Sequence, residues 1–495
     1  MPVIRAYFAL LPLLLTAGCV VGPNFKAPVA PAIAGYMQGS TATTIPATPG
    51  VPGGNAQHFV AGADIPADWW TLFHSKELNA LIEQALANNA DLQAAQAALM
   101  VAHENTRAQH GAYLPQVGAG ATVTRQKDPS ATLAPVPANN SSSYSLITPS
   151  VSVSYTPDVF GLNKRTIEGL TAQEQATRYE MIATDITLSA NVAQAAITEA
   201  SIQDQIDTTN ELIRLGRQIL SLLLYQKSRG YIGGADIAAQ QAQLSQLEAT
   251  LPPLVKQRDQ QNDLIAVLTG RAPAQAPAEM FTLASLTLPS DLPLSLPSTL
   301  VEQRPDVRQA EENLHAASAQ IGVARANRLP NITLSANAGT NALAISQIFG
   351  PGTSFWNIGA ALLAPLLDGG TKLHQERAAR YAYQQTAAQY RGTVLTAFQN
   401  VADTLVALEE DAKTLQATKA AADATKASLD LARLQYKDGY AAFLAVLNAD
   451  QAYQQAQLSL VQAEADRFTD TTALFQALGG GWWHRTDLAT AADAR

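Results

Sequence analysis

One cysteine in 495 residues, few aromatic side chains (6%) and few charged ones (15%) set the first limits on this chain. A single thiol excludes internal disulfides and any site built from several cysteines. The seven histidines, at 58, 74, 103, 110, 315, 374 and 484, include no pair at metal-ligand spacing. No glycine-rich phosphate loop and no nucleophile elbow is present, so no residue constellation suggests an enzyme or a bound cofactor. The formal charge is −9 without a basic patch, which argues against nucleic acid as a partner. Nowhere after Cys19 does an apolar run reach the length of a membrane-spanning helix. If the chain crosses a bilayer, it does so with strands. Hydrophobic residues make up an ordinary 47%, so most of the chain is expected to fold.

The cysteine stands in an informative place. Arg5 precedes a short apolar run from Ala6 to Leu15, and Thr16-Ala17-Gly18 leads into Cys19. A positive charge, a brief hydrophobic segment and small residues before a cut site read as a secretory signal. Small residues directly before cysteine resemble a bacterial lipobox, so residues 1–18 are expected to be removed and Cys19 to become a lipidated N-terminus. Thr16 departs from the leucine usual in that pattern. Residues 19–68 are rich in proline, glycine, alanine and threonine with little periodicity, and read as an extended tether, not a core.

The remainder repeats itself once. Asp91 and Pro115 recur as Asp306 and Pro330, each 215 residues on; Pro157 and Gly161 recur as Pro365 and Gly369, 208 on; Gly230-Tyr231 recurs as Gly439-Tyr440, 209 on. Ordered markers at near-constant spacing indicate a tandem duplication, with repeats at 69–270 and 299–481. A linker at 271–298 holds five prolines, and a tail covers 482–495. Each repeat reads as helix, strand, loop, strand, long helix, turn, helix. Strands are expected at about 115–126, 145–157, 331–341 and 353–364, where apolar residues alternate with small polar ones, as in Val117, Ala119, Ala121 and Val123. Period two with one apolar and one small-polar face is the pattern of a barrel wall between lipid and water.

Long helices are expected at about 162–230, 235–268, 370–439 and 441–478. A segment of 69 residues extends about 100 Å as a helix. Val394, Phe398, Val401, Leu405, Leu408, Ala412 and Leu415 step by alternating fours and threes, a coiled-coil seam, and Ile202, Ile206, Ile213 and Leu220 follow the same register. Four strands cannot close a barrel, because roughly eight is the minimum. Open strand edges in lipid leave unpaired N–H and C=O groups. The protomer is therefore expected to share a barrel with copies of itself.

Six ordered segments resemble the TolC-like outer-membrane efflux channels, in particular their NodT-like or OprM-like lipoprotein branch. They begin with Cys19-Val20-Val21-Gly22-Pro23-Asn24-Phe25-Lys26-Ala27-Pro28, Trp69-Trp70-Thr71-Leu72-Phe73 and Tyr155-Thr156-Pro157-Asp158-Val159-Phe160-Gly161. Arg304-Pro305-Asp306-Val307-Arg308, Ile321-Gly322-Val323-Ala324-Arg325-Ala326 and Leu478-Gly479-Gly480-Gly481-Trp482 complete them. The resemblance implies an α+β membrane protein and a homotrimer. Its barrel would have 12 strands, continuous with a periplasmic α-helical coiled-coil tunnel. It implies a periplasmic adaptor and an inner-membrane RND-type pump as partners, outer-membrane lipid around the barrel, and toxic small molecules as cargo. Val20 after Cys19 fits the pattern that directs lipoproteins to the outer membrane. Two other readings remain: the outer-membrane duct of a type I protein secretion system, or a structural periplasmic coiled-coil lipoprotein.

The resemblance also implies particular positions. Gly230, Gly234, Gly439 and Tyr440 belong to the helix turns at the tunnel's far tip, which meets the adaptor. Tyr436, Leu444 and Asn448 fall where the periplasmic aperture narrows, with Asn448 replacing the family's aspartate. Three asparagines supply dipoles where three aspartates would concentrate negative potential, so weak cation preference is expected. Trp69 and Trp70 are expected to pack the tether against the helices. Arg304, Asp306 and Arg308, at a helix start, are expected to be structural. Replacing Cys19 with serine should abolish acylation. Equal incorporation of labelled fatty acid into the Cys19→Ser protein and the wild type would contradict the assignment.

Overall fold

The computed structural model describes residues 20–33, 35–37, 43–127, 143–276 and 281–485. Cys19 with the signal segment, the loop holding Asn139 and Asn140, and the tail from 486 lie outside the described residues. The chain divides into two compact units. The first holds the described residues up to Pro28 with Leu99–Thr177 and Ala310–Tyr390. The second holds Val29–Ala98, Arg178–Gln309 and the described residues from Arg391 on.

In chain order the strands are β1 (Thr44–Ile45), β2 (Gln57–Ala61), β3 (Gln116–Lys127), β4 (Ser143–Tyr155), β5 (Asp291–Leu294), β6 (Asn331–Thr340) and β7 (Ser354–Leu363). The helices are α1 (Lys76–Asn88), α2 (Ala90–His110), α3 (Leu162–Ser228), α4 (Gly234–Leu268), α5 (Pro297–Gln303), α6 (Pro305–Ala326), α7 (Thr371–Lys437) and α8 (Phe443–Ala477). No helix among the described residues is long and apolar enough to cross a membrane.

The first unit carries a four-stranded antiparallel sheet ordered β3-β4-β6-β7, so the two strand pairs of the repeats join into one sheet through β4 and β6. Residues directly opposite share a face. Val117, Val153, Ala336 and Ile358 therefore form one row, as do Ala119, Val151, Ala338 and Trp356. On the reverse face Gly118, Ser152, Asn337 and Asn357 align. No helix among the described residues covers the apolar face at Trp356 and Ile358, which are 76% and 78% exposed. The outer edges of β3 and β7 have no strand partner among the described residues. Aspartates cap both long helices that follow the sheet. Asp158 accepts from the N–H groups of Asn163 and Lys164, and Asp368 from those of Gly370 and Lys372.

The second unit is built on the long helices. The α7 seam from Val394 to Leu415 is buried throughout, as are Ile202, Ile206, Thr209 and Ile213 of α3. Helix α4 runs through Pro252 and Pro253, whose rings remove two N–H donors. Both prolines lie on an exposed stretch, so the orphaned carbonyls are left to water.

The expected tether and linker do more than connect. They supply β1, β2 and β5, a three-stranded sheet in which β2 pairs β5 in parallel and buries Ile45, Phe59 and Leu292. These strands span two to five residues, and His58 pairs with Asp291, almost half the sequence away. A run that short carries no periodicity, and Pro293 is tolerated because β5 is an edge strand.

Arg467 of α8, 1% exposed, holds this sheet to the helices. It donates to the carbonyl oxygen of Leu408 at 3.0 Å and to Gln57 Oε1 at 2.7 Å. Trp69 stacks on Phe475 with ring centroids 5.3 Å apart. Arg304 donates to the Ala477 carbonyl at 2.9 Å and pairs with Asp306, while Arg308 lies over the Tyr179 ring. The Arg304–Arg308 motif thus closes the C-terminus of α8.

Two carboxylates of α3 pin the segment before β5. Glu199, fully buried, accepts the Phe281 N–H at 3.1 Å, and Asp204 accepts that of Leu283 at 3.1 Å. Burial pushes Glu199 up to about 7, with Arg258 opposing and Asp204 reinforcing the shift. Glu464 rises to about 7 for the same reason, helped by Asp204. A carboxyl group raised on folding stabilises the fold below its unfolded value near 4.3 and loses that contribution as pH climbs through its folded value. Thermal stability should therefore fall between about pH 5 and about pH 8, and Glu199→Gln should recover part of it at the higher pH only. Circular-dichroism melting at both values checks this. An equal shift of Tm at both would contradict it.

Candidate functional site

The two turns that separate α3 from α4 and α7 from α8 are built alike. Gly230 and Gly439 adopt φ of 79° and 81°, a left-handed conformation that any side chain would strain. The Tyr231 N–H donates to the Gln226 carbonyl at 3.0 Å, and the Tyr440 N–H to that of Gln435 at 2.8 Å. This is the Schellman closure, formed twice. Gly234 opens α4, and Tyr231 and Tyr440 stand exposed beyond the turns.

Behind the turns the four helices share a buried cluster of Leu223, Ile237, Leu429, Phe443 and Val446. Tyr436 packs against it, its ring edge-on to Phe443 at 5.5 Å, and its hydroxyl donates to Gln226 Oε1 at 3.1 Å. Burial raises the Tyr436 hydroxyl above its ordinary value, and the Asp236 carboxylate adds to that shift. The phenol therefore stays a neutral donor.

Leu444, 61% exposed, and Asn448 stand one turn apart on the outer face of α8. The structure thus places the three expected aperture residues in two settings. Tyr436 is tied to its own chain through Gln226. Leu444 and Asn448 project from it. Asp450, two residues beyond Asn448, is buried and faces inward, accepting from Gln454 Nε2 at 2.6 Å and pairing with Arg433 at 3.4 Å. Burial raises its carboxyl group against the pull of Arg433. It does not restore the charge that Asn448 lacks on the outer face.

An amide network with no local signature continues from Asp450. Gln243 of α4 donates to Gln454 Oε1 at 3.2 Å, and Gln451 donates to Gln243 Oε1 at 2.5 Å. Gln240 donates to the Gly216 carbonyl at 3.2 Å. Glutamines at i and i+3 on a long helix look like solvated positions. Only the packing of the helices shows Gln240, Gln243 and Gln454 buried, each with a hydrogen-bond partner.

This arrangement can present a polar, nearly uncharged ring if copies assemble around Leu444 and Asn448. No group of acidic, histidine or cysteine residues among the described residues could hold a metal ion.

The profile of the family described as outer membrane efflux protein matches residues 81–271 and 296–480. The chain is 29% identical to the antibiotic efflux pump outer membrane protein ArpC of Pseudomonas putida, with 97% of each chain covered. It is 31% identical to the probable efflux pump outer membrane protein SepC of Pseudomonas putida, covering 94% of this chain and 95% of that one. The Campylobacter jejuni CmeC outer membrane channel has a similar fold, with a TM-score of 0.83 at 19% identity, covering 96% of this chain and 98% of that one.

Replacing Asn448 with aspartate should raise the cation preference of single channels several-fold and strengthen block by trivalent cations. Recordings in planar bilayers in which the Asn448→Asp protein behaves as wild type would remove residue 448 from the aperture.

Proposed function

The chain belongs to the outer membrane efflux protein family, and from this we infer that it is the passive outer-membrane duct of a tripartite efflux pump. In this reading three copies assemble, each giving four strands to a barrel of twelve, while the long helices form a periplasmic tunnel. A periplasmic adaptor meets the turns at Gly230, Gly234, Gly439 and Tyr440. An inner-membrane RND-type pump supplies the energy and the cargo of drugs or other toxic small molecules. The barrel sits in the outer membrane with a lipid at Cys19.

The observation that carries this reading is the four-stranded sheet. Its register gathers apolar residues on one face and glycine, serine, threonine and asparagine on the other, and its outer strands β3 and β7 are exposed along nearly their whole length. A soluble sheet of this kind would bury its apolar face under helices or a second sheet. An apolar face turned to lipid, a small-polar face turned to water and two open edges suit one arc of a shared barrel. The names of the relatives favour small molecules over secreted protein as cargo, since ArpC is named for antibiotic efflux.

Two measurements test this. Native mass spectrometry of the detergent-extracted protein should show a trimer; a folded, stable monomer would contradict the barrel and the tunnel together. Cells lacking the gene should accumulate a fluorescent efflux substrate several-fold while secreting an unchanged set of proteins. Unchanged accumulation with a missing secreted protein would make the chain a protein-export duct instead.

A further inference from the structure

The segment that follows Cys19 is locked onto the first unit. Arg165, only 3% exposed, donates from Nε to the Val21 carbonyl at 3.1 Å. Its Nη2 donates to the Gly22 carbonyl at 3.3 Å and to Asn24 Oδ1 at 2.8 Å, and Glu168 balances its charge at 2.6 Å. The Val21 N–H donates to the Phe160 carbonyl at 3.2 Å. Gly22 lies so close to Gly322 that a β-carbon on it would meet the Gly322 Cα at 2.5 Å. Phe25 stacks on His315 at 4.4 Å. These contacts account for the Val21-Gly22-Pro23-Asn24-Phe25 motif and for Gly322, and they fix where the chain's described N-terminus lies.

That place adjoins a cavity. Val20 rests against Gly161, whose neighbours Phe160 and Leu162 line a cavity of about 330 Å³ where the strands end and α3 begins. Its walls are mainly apolar, with Pro157, Leu329, Ile332 and Leu363 contributing. Lys372 and Asp158 stand among the lining residues, and the Asp158 carboxylate is already engaged by the first N–H groups of α3.

We propose that this cavity holds one fatty acyl chain of the lipid carried by Cys19, making the lipid part of the folded unit. The proposal rests on the lipidation of Cys19. Consecutive Cα atoms are about 3.8 Å apart, so the lipid is attached one residue before Val20, which packs on Gly161 between the lining residues Phe160 and Leu162. A covalent tether keeps the acyl chain at high effective concentration there, which gives it the advantage over free phospholipid. The size of the cavity falls within the usual range for ligand pockets, and its apolar walls suit a hydrocarbon chain. The Arg165 clamp is then a positioning device. It holds the N-terminal segment so that the lipid enters at the end of the sheet.

The test uses the full-length protein made in cells fed a fatty acid with a photoactivatable diazirine. After illumination in membranes, peptide mass spectrometry should find the Cys19 peptide joined through its lipid to peptides 156–163 or 326–332. Ile332→Trp, which fills the cavity, should reduce that product several-fold without preventing acylation. Arg165→Met should reduce it as well, because Val20 is released. Cross-links from the Cys19 lipid only to bulk phospholipid, or to the outward face of β3 and β7, would overturn the proposal while leaving the lipid in place. Equal labelling of the cavity peptides in the Cys19→Ser protein would show that free phospholipid occupies it, which also overturns the proposal. Wild-type protein that takes up no label at its N-terminus would end the lipidation reading and this proposal with it.

Discussion

Backbone hydrogen bonding at the edges of a sheet is the constraint from which the rest follows. Four strands satisfy each other internally, but β3 and β7 each present a row of N–H and C=O groups that no other described strand takes up. In water such edges are a hazard; in lipid each unpaired group costs several kcal/mol. The sheet also leaves Trp356, Ile358 and Val117 exposed on a face that no helix among the described residues covers. In the proposed reading, more of the same sheet and a hydrocarbon solvent satisfy both edges and face.

The duplication extends that economy to the helices. Both repeats end their long helix with the same Schellman closure at a glycine, and both start it beside an aspartate cap. The two turns then meet in one buried cluster, Leu223 and Ile237 from the first repeat against Leu429, Phe443 and Val446 from the second. The polar ties among these helices are of two kinds. Gln243, Gln451, Gln454 and Asp450 are satisfied within the chain, whereas Leu444 and Asn448 face outward. A narrow passage lined by such residues would be controlled by packing and dipoles more than by charge.

Much of this was legible in the sequence because it is periodic or punctuated. The seam from Val394 to Leu415 is legible in its heptad spacing, β3, β4, β6 and β7 in the alternation of apolar and small polar residues, and the turns in Gly230 and Gly439. What was not legible depends on long-range partners. The strands β1, β2 and β5 are too short for periodicity, and the pairing of His58 with Asp291 has no local signature. Arg467 reads as a solvated residue on a helix, yet it is the buried centre of the contact between α8 and the N-terminal segment. Glu199 and Asp204 likewise look like exposed helix positions until Phe281 and Leu283 bring their N–H groups. Tyr436, Leu444 and Asn448 are legible only through the family resemblance, and the structure separates the one tied inward from the two that project.

The most direct test of the shared sheet is cross-linking between its two open edges. Cysteines placed singly and in pairs along β3, at Gly118 and Gly120, and along β7, at Gly359 and Ala361, would be oxidised in isolated outer membranes. If β3 of one copy pairs with β7 of the next, at least one pair gives a covalent ladder that stops at three chains, and no single cysteine gives that ladder. Products confined to one chain for every pair, or a ladder that runs past three, would contradict a barrel closed by three copies.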